Sequence, residues 1–129
     1  MSNATFSWSD SWTATSIFEA SIGNGSDATS AAISNDGKIA TEISVEVAYG
    51  TTATEGVKVY VLRDGVAYET ENDKPFGMSL QYSTSTSYRK TFTVRGDEVS
   101  RFKILITNDS GDTVDASAYY KQLDSVNIA

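Results

Sequence analysis

The chain contains no cysteine and no histidine, and it has a single proline, Pro75. Without cysteine there are no disulfides, thiol nucleophiles, iron–sulfur ligands or thiolate zinc sites. Without histidine the commonest general base and the commonest metal ligand are missing. Serine–histidine and cysteine–histidine catalysis are thus excluded by composition. Cations are scarce as well: 10 Lys and Arg stand against 17 Asp and Glu, a formal net charge of -7. Such a surface repels polyanions, so neither nucleic acid nor an anionic membrane is an expected partner. No apolar run approaches the roughly 20 residues that a membrane-crossing helix needs. Glycine-rich phosphate cradles are absent too. The start, MSNATFSWSDSW, lacks the basic head and apolar core of a secretory signal, which points to synthesis and retention in the cytoplasm.

What is present is β-structure. In Thr41–Tyr49, Ile43, Val45, Val47 and Tyr49 alternate with Glu42, Ser44 and Glu46. That period of two marks a strand with one buried and one wet face. Residues 57–62, 88–95, 101–107 and 113–121 repeat the pattern, with Leu105 an apolar exception on a polar face. Weaker strand signals lie at 12–18, 28–33 and 77–82. Between them stand turn sequences: NDGK at 35–38, RDGV at 63–66, RGDE at 95–98 and NDSGD at 108–112. The two Asp-Gly pairs predict type I′ hairpins. The expected fold class is all-β, an antiparallel β-sandwich of about seven to eight strands, immunoglobulin-like or jelly-roll. At 129 residues the chain fits one domain. Residues 1–12 read as an N-terminal arm and 13–129 as the domain itself.

Few groups are placed for chemistry. Glu69, Glu71 and Asp73 would share one face of a strand, as a calcium site or a glycosidase pair requires. In an acidic protein the same residues form a solvated edge. The Asn, Asp, Ser and Gly of residues 24–27 and 108–112 resemble pieces of calcium loops, but they also satisfy tight turns. Arg95-Gly96-Asp97 matches a tripeptide read by integrins, and here it falls at a predicted turn. No enzyme, cofactor or metal is expected. Aromatics carry the stronger signal. Phe6, Trp8 and Trp12 cluster near the N-terminus, while Tyr60 and Tyr119 point away from the core faces of their strands. Such rings anchor protein interfaces or stack on sugars. The plainer alternative puts Trp12 in the core and Trp8 on the domain edge.

The segments GVKVYVLRDGVAYE (56–69) and SRFKILITNDSGDTVDASAYYK (100–121) resemble, in style, the small β-sandwich structural proteins of tailed bacteriophages, of head-decoration or tail-accessory type. The resemblance implies a non-enzymatic virion protein that stabilises a particle by contacts. Its partners would be capsid or tail proteins and further copies of itself, in an oligomer such as a trimer, assembled in the host cytoplasm. It also implies an arm carrying Phe6 and Trp8 as anchors. Carbohydrate-binding and cell-surface adhesion sandwiches share the style and form the alternative.

Overall fold

The alternation in Thr41–Tyr49 becomes the central strand of one of two sheets. The structure is a computed structural model that describes residues 4–8, 11–73 and 75–128, with side chains from 8 to 124 within those ranges. Its strands are β1 (Ala4–Trp8), β2 (Thr13–Ala14), β3 (Ala20–Ile22), β4 (Ser26–Thr29), β5 (Ile33–Ser34), β6 (Ala40–Tyr49), β7 (Lys58–Arg63), β8 (Phe76–Ser79), β9 (Ser87–Arg95), β10 (Arg101–Asn108) and β11 (Val114–Ile128). One sheet runs β1-β11-β6-β9, with β2 and β3 also on the β1 side of β11. The other runs β4-β10-β7-β8, with β5 beside β10. Every strand pairing is antiparallel. The two sheets make a sandwich.

Register explains the core. Val45 faces Ala118 and Lys90 across its neighbours, and Ile43 faces Tyr120 and Phe92. Opposed residues share a face, so these pairs lie on the inner face, with Lys90 at its exposed edge. From the second sheet, Val59, Val61, Phe102, Ile104 and Ile106 meet them, all buried in one cluster with Ile43, Val45 and Val47. Leu62 and Leu105 are buried on the outward face instead. There the loop after β7 brings the Tyr68 ring beneath the Lys103 ammonium, 4.3 Å from the ring centre.

The expected strands are present, but the described residues form eleven rather than seven or eight, because β1 and β3 lie outside the expected segments and one weak segment splits in two. The 28–33 segment becomes β4 and β5, interrupted at Ser30. Its backbone N–H donates to the Ile104 carbonyl, and its hydroxyl accepts the Ile104 N–H at 2.9 Å. Within 12–18 only Thr13–Ala14 is strand, although Thr15 and Ile17 also bond through their backbones to Ala118. The last strand runs well past residue 121, to Ile128.

The hairpin expectations fail at both Asp-Gly pairs. A type I′ turn needs positive φ at both central residues. Gly37 has φ 72°, but Asp36 does not join it on that side, and the turn carries the chain from β5 in one sheet to β6 in the other. Arg63–Val66 opens a longer excursion closed by a bridge between Asp64 and Tyr68. The chain also changes sheet after β3, β6, β8, β9 and β10. Turn chemistry announces a reversal without saying which sheet receives the next strand.

Polar ties fix the sheets to each other. Asn35 is buried, donates from Nδ2 to the Val94 carbonyl at 3.1 Å and accepts from the Thr41 hydroxyl. Gln122 Nε2 donates to the Ser34 carbonyl at 2.7 Å and to Thr41 Oγ1 at 3.1 Å. Among the described residues no buried side-chain nitrogen or oxygen lacks a partner.

Candidate functional site

The outward face of the β11-β6-β9 sheet gathers several of the exposed rings; Phe76, on the other sheet, and Tyr82 are exposed as well. On β11 the residues that face out are Asp115, Ser117, Tyr119 and Lys121, because Val114, Ala116 and Ala118 face in. Tyr119 lies opposite Ala14 of β2 and is half-buried. Two residues earlier in the chain, Trp12 is 41% exposed. Phe18 meets Tyr119 edge to face, with ring centres 6.1 Å apart and planes at 84°. Aromatic pairs of this geometry hold each other in place. Trp8, at the end of β1, pairs with Leu123 and so belongs to the same face further along β11.

The β6–β9 half of the face is polar. Glu42, Ser44 and Glu46 stand opposite Thr93, Thr91 and Arg89. The Arg89 guanidinium donates to the Glu46 carboxylate. Thr91 Oγ1 donates to Ser44 Oγ at 3.4 Å. A hollow of about 270 Å³ lies between the two halves, lined by Trp12, Ser44, Glu46, Arg89, Thr91 and Tyr119. A larger one of about 690 Å³ adjoins it, sharing Glu46 and Arg89 and adding Glu19, Ser87, Asp115 and Ser117 among its walls. Glu19 adopts φ 49°, a left-handed conformation unusual for a side chain of this size. Its backbone N–H donates to Ser117 Oγ at 2.8 Å, which pins the β2–β3 connection over β11.

The structure thus separates the five aromatics that the sequence singles out. Trp8, Trp12 and Tyr119 share one face. Tyr60 is half-buried on the outward face of the other sheet, packed on Gly77; a methyl there would come within 2.4 Å of the ring. Phe6 pairs through its backbone with Val126, and its side chain lies outside the described residues. Sequence reasoning missed Phe18, Glu46, Arg89, Ser44 and Thr91. The wet face of β6 was visible in the alternation, but its meeting with β9 comes from register alone.

The other candidates dissolve into local structure. Glu69, Glu71 and Asp73 do not share a strand face. Glu69 accepts the Arg63 N–H at 2.8 Å, Glu71–Asp73 form a 3-10 turn, and Asp73 accepts the Thr70 N–H at 2.7 Å. Asp97 holds the Arg95 guanidinium at 2.7 Å within the Arg-Gly-Asp turn. In the 108–112 loop, Asn108 Nδ2 donates to the Ile22 and Asp112 carbonyls, and Asn24 Oδ1 accepts the Gly111 N–H. Among the described residues no three His, Cys, Asp or Glu side chains converge as a metal site.

Comparison with known proteins adds the fold. No family model matches the chain, and no curated protein matches it in sequence. Among solved structures it is similar to a chain of deformed wing virus, at 9% identity and TM-score 0.56, over 92% of this chain and 46% of that one. The fold is an antiparallel β-sandwich. Weaker likenesses reach the VP2 subviral particle of infectious bursal disease virus (12% identity, TM-score 0.46, 95% of this chain and 33% of that one) and a CBM4 structure (15%, 0.47, 98% and 77%). At these identities the likeness is one of fold alone. This chain spans less than half the length of either virus chain.

Proposed function

We propose that this protein is a non-enzymatic structural component of a virus particle, attached through a ribbon made by its terminal strands. The carrying observation is the geometry of β11. Its pairing with β6 ends at Leu123, opposite Ala40, yet the strand continues to Ile128. Over Ser125–Ile128 its partner is β1, from Ala4 to Ser7. Beyond Leu123, on the side that β6 occupies, the described residues supply no further strand. A two-stranded ribbon is marginal by itself in water, and a free strand edge accepts a strand from a partner. The ribbon is therefore suited to be completed by a capsid or tail protein, or by a further copy of this chain in an oligomer such as a trimer. The body supplies a rigid core behind it. The sandwich fold shared with a deformed wing virus chain agrees with this role, as does an acidic exterior that stays solvated.

Removing residues 1–11 tests the proposal. The truncated chain should stay folded, because β1 pairs with the end of β11, past the strands that build the core. Its copy number on purified particles, counted by mass spectrometry, should fall at least about tenfold. A truncated chain that loads like the full one would refute attachment through the ribbon, and absence of the full chain from particles would refute the virion role.

A further inference from the structure

The paired hollows on the β11-β6-β9 face lie away from the free strand edge that the ribbon offers beyond Leu123. We infer that they bind a neutral oligosaccharide. The face combines two kinds of chemistry that a sugar needs together. Its rings, Trp12 and Tyr119, border the smaller hollow, and Phe18 fixes the orientation of Tyr119. A pyranose presents C–H groups on its faces, which pack on an aromatic ring, and hydroxyls around its rim. At the rim, the carboxylate of Glu46 accepts hydrogen bonds, the guanidinium of Arg89 donates them, and the hydroxyls of Ser44 and Thr91 do either. Glu46 and Arg89, paired across β6 and β9, set an acceptor and a donor side by side at this rim.

Charge and size narrow the ligand. Glu19, Glu46 and Asp115 outnumber the one cation, Arg89, around the larger hollow. Uronic acids, sulfated sugars and phosphates would be repelled. The hollows share two lining residues and run in series at about 270 and 690 Å³, room for more than one sugar unit. A protein partner fits less well. The centres of protein interfaces are depleted in charged residues, whereas an ion pair occupies the middle of this face.

Tryptophan fluorescence and calorimetry on the full chain would test this, with xylohexaose, cellohexaose and laminarihexaose as neutral probes and hexagalacturonate as the anionic one. At least one neutral probe should bind and perturb the fluorescence. Trp12→Ala should weaken binding at least about tenfold at an unchanged melting temperature. Arg89→Gln, a second route in case the first variant misfolds, should weaken it too. Phe76→Ser, on the other sheet, should bind as the parent does. Silence with all three neutral probes at millimolar concentration would overturn the inference. So would preference for hexagalacturonate, or undiminished binding by both Trp12→Ala and Arg89→Gln. If those two variants bind no sugar differently from the parent but fail to load on particles, the face is a protein contact and the inference falls, while the virion role stands.

Discussion

Asp112 shows how a single half-buried residue ties a loop together. Its carboxylate accepts the Thr52 N–H at 3.2 Å and the Thr113 N–H at 2.8 Å. It folds over Gly50, where a methyl would lie 2.1 Å from its oxygen. The bond from the Thr52 N–H, then that from Thr113, holds its pKa below the ordinary 3.8. Hydrogen bonds to the charged form have that sign. The unfolded chain therefore takes up this proton first as the pH falls. The stabilisation is present above the unfolded value and is lost as pH drops through the lower folded one. Asp112→Asn should lower the urea midpoint at pH 6 and do so less at pH 3. An equal deficit at both values would show that the charge is irrelevant. Tyr49 shifts the other way: burial raises its pKa, although its hydroxyl accepts the Val57 N–H at 3.1 Å. Neither role was legible in the sequence. The Asp in NDSGD announces a turn, but its partner Thr52 lies 60 residues away.

At the scale of elements, β9 is an edge strand that guards itself. Tyr88, Phe92 and Val94 face inward with Lys90, which lies opposite Val45 yet remains exposed. An inward-pointing lysine on an edge opposes pairing with a second sheet. Lys90→Val should leave the fold intact and make the protein self-associate, seen as a larger particle by light scattering at high concentration. A monomer at every concentration would deny the guarding role. The odd lysine in an otherwise apolar alternation was readable; that β9 is an edge was not. β11 makes the converse case. Its alternation to residue 121 predicted a strand, and the structure carries that strand on to Ile128. Pairing with β6 as far as Leu123, and with β1 beyond it, makes that extension a strand.

At the scale of the whole molecule, one core joins both sheets. Phe102 of β10 is fully buried and packs in the same cluster as Ile43, Val45 and Val47 of β6. Phe102→Ala should cost about 3–5 kcal/mol, a large part of the roughly 5–15 kcal/mol typical of a domain. Loss of that contact should weaken both sheets together. Tryptophan fluorescence, which reports on the sheet bearing Trp8 and Trp12, and far-ultraviolet circular dichroism should give coincident transitions. Separate transitions would mean that the sheets are independent units.

The sequence by itself determined the class of structure. Alternation with period two is a local property, set by which side chains can leave water, so the strands around Val45, Val59, Ile104 and Ala118 could be read directly. Composition likewise removed thiol and imidazole chemistry before any fold was known. Tertiary structure alone decided which strands became neighbours. It set Glu46 beside Arg89, brought Phe18 to Tyr119, and sent Tyr60 to the opposite face. Those outcomes depend on register and on the sheet to which each turn delivers the chain. Both are fixed by the joint packing of distant segments, where no local pattern records them.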